Sequence, residues 1–130
     1  MKLFSKKPKD QCVLIADDVA TIRTIVSGPF KKAKYRIIEA RNGSKVVSFA
    51  REHHPDLIVL DLQMGGQDGV SALDELLLDR HLARIPVVVL SGETDTTIIK
   101  RAKNRANVVD YIGKENLTQV IENLEKHIKK

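Results

Sequence analysis

The amino-acid sequence predicts an α/β fold, a doubly wound parallel sheet of five strands with five helices covering its two faces. Three observations predict it. Short, purely apolar and largely β-branched runs recur along the chain, as strands buried on both faces require. Longer stretches with apolar residues at helical spacing lie between them. The two kinds alternate strictly, and right-handed crossovers then distribute the helices over both faces. A length of 130 residues suits one domain, and 42% hydrophobic with 30% charged residues is the balance of an ordinary globular chain.

The predicted strands are Cys12–Ala16, Arg36–Ala40, Leu57–Asp61, Pro86–Ser91 and Val108–Ile112. A first helix follows Asp17-Asp18 and turns Ile22, Ile25, Val26, Phe30 and Ala33 inward, with a kink expected at Gly28-Pro29. The second spans about Ser44 to Glu52 and stops before Pro55, whose predecessor is disfavoured in the helical region. A third covers Val70–Asp79. The fourth covers Thr96–Ala106, with Asp95 as its cap and Asn107 as a left-handed stop. The fifth, Asn116–Ile128, places Leu117, Val120, Ile121, Leu124 and Ile128 on one stripe. Residues 1–10 form a loose basic tail and 11–130 the single domain.

Composition excludes several classes. No apolar run approaches the roughly 20 residues of a membrane span, and the amino end lacks the apolar core of a secretory signal. The lone Cys12 makes neither a disulfide nor a metal cluster, so a cytoplasmic protein without membrane insertion is expected. The net charge of +5 points toward nucleic acid until its distribution is considered: Lys2, Lys6, Lys7 and Lys9 against Asp10 account for +3 of it. Five aromatic residues in all are too few for a base-stacking surface, so no nucleic-acid partner is expected.

Ligands of open parallel sheets sit beyond the carboxyl ends of the strands. There the chain carries Asp17-Asp18 after the first strand, Asp61 at the end of the third, Ser91 at the end of the fourth and Lys114 after the fifth. Taken singly, such an aspartate is often a helix cap, Ser91-Gly92 a turn and Lys114 a solvated lysine. Their joint placement argues otherwise. Converging carboxylates must protonate or share a cation, and hard oxygen donors beside a lysine suit Mg²⁺ with phosphate oxygens. Asp61 is the candidate nucleophile, Asp18 with Asp17 the metal ligands, and Ser91 and Lys114 the groups for the other phosphoryl oxygens.

These residues resemble the response-regulator receiver domain of two-component signalling. The resemblance rests on VLIADD ending at Asp18, Arg23 five positions later, EARNG at 39–43, PDLIVLDLQMGGQDG at 55–69, VVVLSG at 87–92 and VVDYIGK at 108–114. It implies a flavodoxin-like sheet of order 2-1-3-4-5, of the stand-alone type represented by the chemotaxis response regulator. It further implies Asp61 as phosphoacceptor, a third Mg²⁺ contact from the Gln63 backbone carbonyl, Tyr111 as an aromatic switch, and Gln63 and Glu93 as positions that tune hydrolysis. The implied donor is a histidine kinase or phosphotransfer protein. The implied output is the surface of the fourth helix, fifth strand and fifth helix, acting on a separate effector because no effector domain follows. Lys100, Arg101, Lys103 and Arg105 lie on that face as a candidate partner surface, and a monomer or weak dimer is expected.

Three positions depart from the family pattern. Gly65-Gly66 replaces a usual proline, Lys34 stands where glycine is frequent, and Glu115 follows Lys114 where a cis proline is usual. Two other classes stay open. One is a receiver-like interaction module that is never phosphorylated. The other is a Mg²⁺-dependent aspartyl-phosphate hydrolase, which needs a second aspartate where Gln63 stands. A nucleotide-binding fold lacks its glycine-rich loop. The expectation is therefore a phosphoacceptor and not a turnover enzyme.

Overall fold

The computed structural model describes residues 10–64, 69–92, 96–117 and 124–128. Five strands, β1 (Cys12–Ala16), β2 (Arg36–Ala40), β3 (Leu57–Leu60), β4 (Val87–Ser91) and β5 (Val108–Gly113), form one all-parallel sheet of order β2-β1-β3-β4-β5. Four helices are described: α1 (Ala20–Lys32), α2 (Val46–His53), α3 (Gly69–Leu78) and α4 (Thr96–Lys103). The middle of the expected fifth helix, residues 118–123, lies outside the described residues, as do Asp95, Gly65-Gly66 and the tail up to residue 9. At its ends the chain forms short 3-10 turns, Lys114–Asn116 and Glu125–His127.

Alternation along each central strand divides the core into two layers. Leu14, Ala16, Ile58, Leu60, Val87 and Val89 face α2, α3 and α4 through Val47, Ala50, Leu73, Leu76 and Ala102. Val13, Ile15, Leu57, Val59, Val88 and Leu90 face the other side, with Val26 and Phe30 of α1 and with Leu124 and Ile128. Central strands buried on both faces explain the unbroken apolar runs in the sequence.

The structure corrects several details. α1 runs through Pro29 as a single helix, but its buried residues are Arg23, Val26, Ser27 and Phe30, while Ile25 is 42% exposed and Ala33 is exposed. α4 ends at Lys103, three residues early, and Asn107 is not left-handed: it is buried, and its carbonyl accepts the Val87 amide at 2.9 Å. The Lys114–Glu115 bond is trans, since no cis bond occurs among the described residues.

Lys34 shows why glycine suits its position. α1 closes in a Schellman arrangement, with Lys34 N–H donating to the Lys31 carbonyl at 3.0 Å and Tyr35 N–H to the Phe30 carbonyl at 2.9 Å. Lys34 takes the left-handed conformation this requires, at φ 73°. The accompanying apolar contact is Tyr35 on Phe30, edge to face at 5.5 Å between ring centroids. A left-handed L-residue costs about 1–2 kcal/mol, and glycine's greater freedom in the unfolded chain returns about 0.5–1 kcal/mol of that. Lys34→Gly is therefore expected to stabilise the protein by roughly 0.5–1 kcal/mol, read as a higher urea midpoint with an unchanged slope.

Candidate functional site

Parallel register assembles the site. Ala16 pairs with Leu60, so the next residues, Asp17 and Asp61, emerge side by side, with the Asp61 amide donating to the Ala16 carbonyl at 2.9 Å. Ser91 pairs with Gly113, which sets Lys114 just beyond the same rim. Asp17, Asp61 and Ser91 are buried, whereas Asp18 is exposed. Carboxylate oxygens of Asp17, Asp18 and Asp61 lie within 4.8 Å of one another. Lys114 bridges two of them, its Nζ 3.0 Å from Asp17 Oδ2 and 3.2 Å from Asp61 Oδ2. The trans Lys114–Glu115 bond therefore does not keep the lysine from the site.

The remaining oxygens are held by backbone. Gln63 N–H donates to Asp61 Oδ1 at 3.0 Å and Val19 N–H to Asp17 Oδ1 at 2.8 Å. Burial pushes the Asp61 carboxyl above the ordinary carboxylate range. The Gln63 amide opposes the shift, Asp17's charge adds to it and Lys114 opposes it, and the net effect is upward. Burial alone would lower the Lys114 ammonium, but its hydrogen bonds and ion pairs with Asp17 and Asp61 outweigh burial and raise it. The lysine is thus charged throughout the neutral range. Three carboxylates against one ammonium leave two negative charges, and hard oxygen donors with that surplus fit a divalent cation.

The other sequence-predicted residues lie away from this rim. Tyr111 sits mid-strand on β5, its hydroxyl shut off from solvent and its ring packed against the layer under α4, with Lys103 Nζ 5.3 Å from the ring centroid. Lys103, Val108, Val109, Asp110 and Tyr111 line a shallow recess of about 250 Å³. The four basic residues differ in their contacts. Lys100, Arg101 and Lys103 are exposed, but Arg105 pairs with Asp74 of α3 at 2.5 Å and caps the Arg101 carbonyl at 2.8 Å. Glu93 lies outside the described residues. Sequence reasoning missed the contacts of Arg23, whose signal was its fixed place five residues after Asp18.

Comparison with known proteins agrees with this geometry. The description of the response regulator receiver domain matches residues 13–126. The chain belongs to that family. Over 112 residues it is 30% identical to Protein PilH of Pseudomonas aeruginosa, covering 84% of this chain and 93% of the relative. It is 33% identical to Chemotaxis protein CheY of Bacillus subtilis, covering 66% of this chain and 72% of the relative. It is also 34% identical to Transcriptional regulatory protein PdtaR of Mycobacterium tuberculosis, of whose length it spans about half, 48%. The crystal structure of the Mn²⁺-bound form of response regulator Rcp1 superposes with a TM-score of 0.79 at 25% identity, over 89% of this chain and 92% of that one. The five-stranded flavodoxin-like receiver fold of order 2-1-3-4-5 and the two-component family thus stand as expected, with the acidic group suited to a divalent metal. No helix among the described residues is long and apolar enough to cross a membrane.

The raised Asp61 carboxyl has a consequence for stability. A carboxyl whose folded pKa exceeds its unfolded value holds its proton more tightly when folded, so stability declines as pH rises through that interval. In metal-free buffer, Asp61→Asn is expected to be more stable than the unmodified protein at pH 7, with the gap closing as pH falls below the ordinary carboxyl value. Urea midpoints across that range measure it; a less stable Asp61→Asn at pH 7 would show that the Lys114 ion pair outweighs burial.

Proposed function

We propose that this receiver is the phosphoacceptor of a two-component pathway, taking a phosphoryl group onto Asp61 from a phosphohistidine of a histidine kinase or phosphotransfer protein. The observation that carries the reading is the buried Asp61 carboxylate, 3.2 Å from the Lys114 ammonium and grouped with Asp17 and Asp18 at the carboxyl rim of the sheet. A carboxylate oxygen of Asp61 bonds to phosphorus as the phosphorus–nitrogen bond breaks, and the electron pair of that bond stays on the departing imidazole. The product is an acyl phosphate, which water later hydrolyses, so the chain is an acceptor rather than a turnover enzyme. Lys114 and the Ser91 hydroxyl hold phosphoryl oxygens, fixed in advance by β4 and β5.

Asp17, Asp18, Asp61 and the Gln63 backbone carbonyl would hold Mg²⁺, which supplies positive charge for the phosphoryl oxygens. The Mn²⁺ in the Rcp1 structure supports this choice of ligand class. Phosphorylation then biases a two-state equilibrium that Tyr111 and the α4–β5 face report. We place the protein in the cytoplasm as a monomer or weak dimer, with residues 11–130 as the receiver, a separate effector protein as output and no nucleic-acid partner.

Incubation with Mg²⁺ and acetyl phosphate is expected to add one phosphoryl group per chain by mass spectrometry. Beryllofluoride with Mg²⁺ is expected to shift the amide spectrum in the same way, and Asp61→Asn should abolish both responses. A phosphoryl group retained in Asp61→Asn would place the acceptor elsewhere, and no response in the unmodified protein would make it a binding module only. A second expectation concerns output. Because Lys100 and Arg101 are exposed while Arg105 is committed to Asp74, reversing only Lys100 and Arg101 to Glu should leave Asp61 phosphorylation intact. It should weaken effector binding about tenfold, more so at low salt; unchanged binding would remove this helix from the partner surface.

A further inference from the structure

We propose that Arg23 is a positioning residue for the divalent cation, its guanidinium fixing the peptide that joins Asp17 to Asp18 and so aiming the metal-holding carboxylates. The inference rests on the metal reading above and deepens it. Arg23 is only 8% exposed, an unusual place for an always-charged side chain, and such a group is retained inside when each of its donors has a partner. Its Nη1 donates to the Asp17 backbone carbonyl at 2.8 Å, a buried bond, and its Nε to Glu39 Oε1 at 3.0 Å.

That carbonyl belongs to the peptide whose nitrogen is Asp18's, so its direction sets the plane from which Asp18 departs. On the other side of Asp17 the amide donates to the Ala40 carbonyl at 3.1 Å, and Ala40 follows Glu39 on β2. Within the side chain, Oδ1 is held by the Val19 amide at 2.8 Å and Oδ2 faces Lys114 at 3.0 Å. The amide, carbonyl and carboxylate of Asp17 are thus all tied, and the tie that links its carbonyl to both α1 and β2 is Arg23. Glu39 orients the guanidinium from outside, itself 42% exposed at the side chain.

Charge alone makes the opposite prediction. A guanidinium bonded to the Asp17 carbonyl repels a cation arriving at the neighbouring carboxylates, so if charge were its whole effect, its removal would tighten metal binding. Lysine separates the two. It keeps the charge but lacks the planar fork that bonds the Asp17 carbonyl and Glu39 together. The test uses the full chain and titrates Mn²⁺ by water-proton relaxation and Mg²⁺ by calorimetry, with urea midpoints in parallel. Unmodified protein is expected to bind both ions and Asp18→Asn to bind them far more weakly. Arg23→Lys is expected to weaken binding by about tenfold or more, as loss of an orienting outer contact does, and Glu39→Gln to weaken it in the same direction. If Arg23→Lys lowers the urea midpoint yet binds Mn²⁺ as tightly as the unmodified protein, Arg23 is structural only. Should Arg23→Lys fail to fold, Glu39→Gln decides, and unchanged Mn²⁺ affinity there overturns the proposal. Absence of binding by the unmodified protein would instead overturn the metal site, and this inference with it.

Discussion

The Lys114 ammonium stands between two buried carboxylates, 3.0 Å from Asp17 and 3.2 Å from Asp61, and the architecture of the rim serves that one contact. Two aspartates this close and this sheltered from water cannot both ionise without a cation between them. A single lysine offsets only part of their charge once Asp18 is counted, while burial first and Asp17's charge second push the Asp61 carboxyl upward. The site is therefore held in an electrostatically incomplete condition. It is ready for a divalent ion, and for a phosphoryl group arriving with one. Structural ion pairs close on themselves; this one leaves a surplus of negative charge directed at the open end of the sheet.

What maintains that condition is the sheet. Register places Asp17 directly beside Asp61 and Ser91 beside Gly113, so four chain segments deliver their groups to one rim without any loop having to fold in a special way. The central strands beneath are buried on both faces, with Leu14, Ile58, Leu60 and Val88 fully shielded. Deep two-sided burial is what allows the rim to hold unfavourable charge, because the apolar layers below supply the stability that the acidic group subtracts. The same two layers separate duties: α1 packs on one face, and α2, α3 and α4 on the other.

The strands and the acidic rim were legible because each rests on a strong local signal. Apolar, β-branched runs mark two-sided strands, and the fully buried β1 begins and ends where its run does. Asp61 and Lys114 were legible because the fold rule for parallel sheets says where to read. Helical period was weaker evidence. It turned Ile25 of α1 inward, whereas the helix rotates so that Arg23 and Ser27 go in and Ile25 comes out. Apolar counting assigns no inward pull to an arginine, yet bonds from one guanidinium to the Asp17 carbonyl and to Glu39 outweigh the burial of one isoleucine. Asn107 failed as a stop for a related reason: its carbonyl is taken by Val87, which draws it into the sheet instead of into a left-handed turn. Left-handed residues stand instead at His54, which ends α2, and at Lys34, where side-chain identity argued against it and the Schellman hydrogen bonds required it.

The strand that leads directly into Lys114 carries Tyr111, and this joins the rim to the helical face. Ser91 pairs with Gly113 and Val89 with Tyr111, so any shift of the β4 and β5 ends toward a phosphoryl group is passed along two hydrogen-bonded strands to the tyrosine. There α4 meets the ring. Lys103 of α4 lies 5.3 Å from the ring centroid in a shallow, open recess, where such a cation–π contact contributes about 0.5–1 kcal/mol. Contacts to a phosphoryl oxyanion in a sheltered site are several times stronger than that. The Lys103 contact on α4 is therefore one that a covalent event at the rim can outweigh. The proposed switch thus rests on the β4–β5 pairing, which joins a rim preformed by strand register to the Lys103 contact on the helical face.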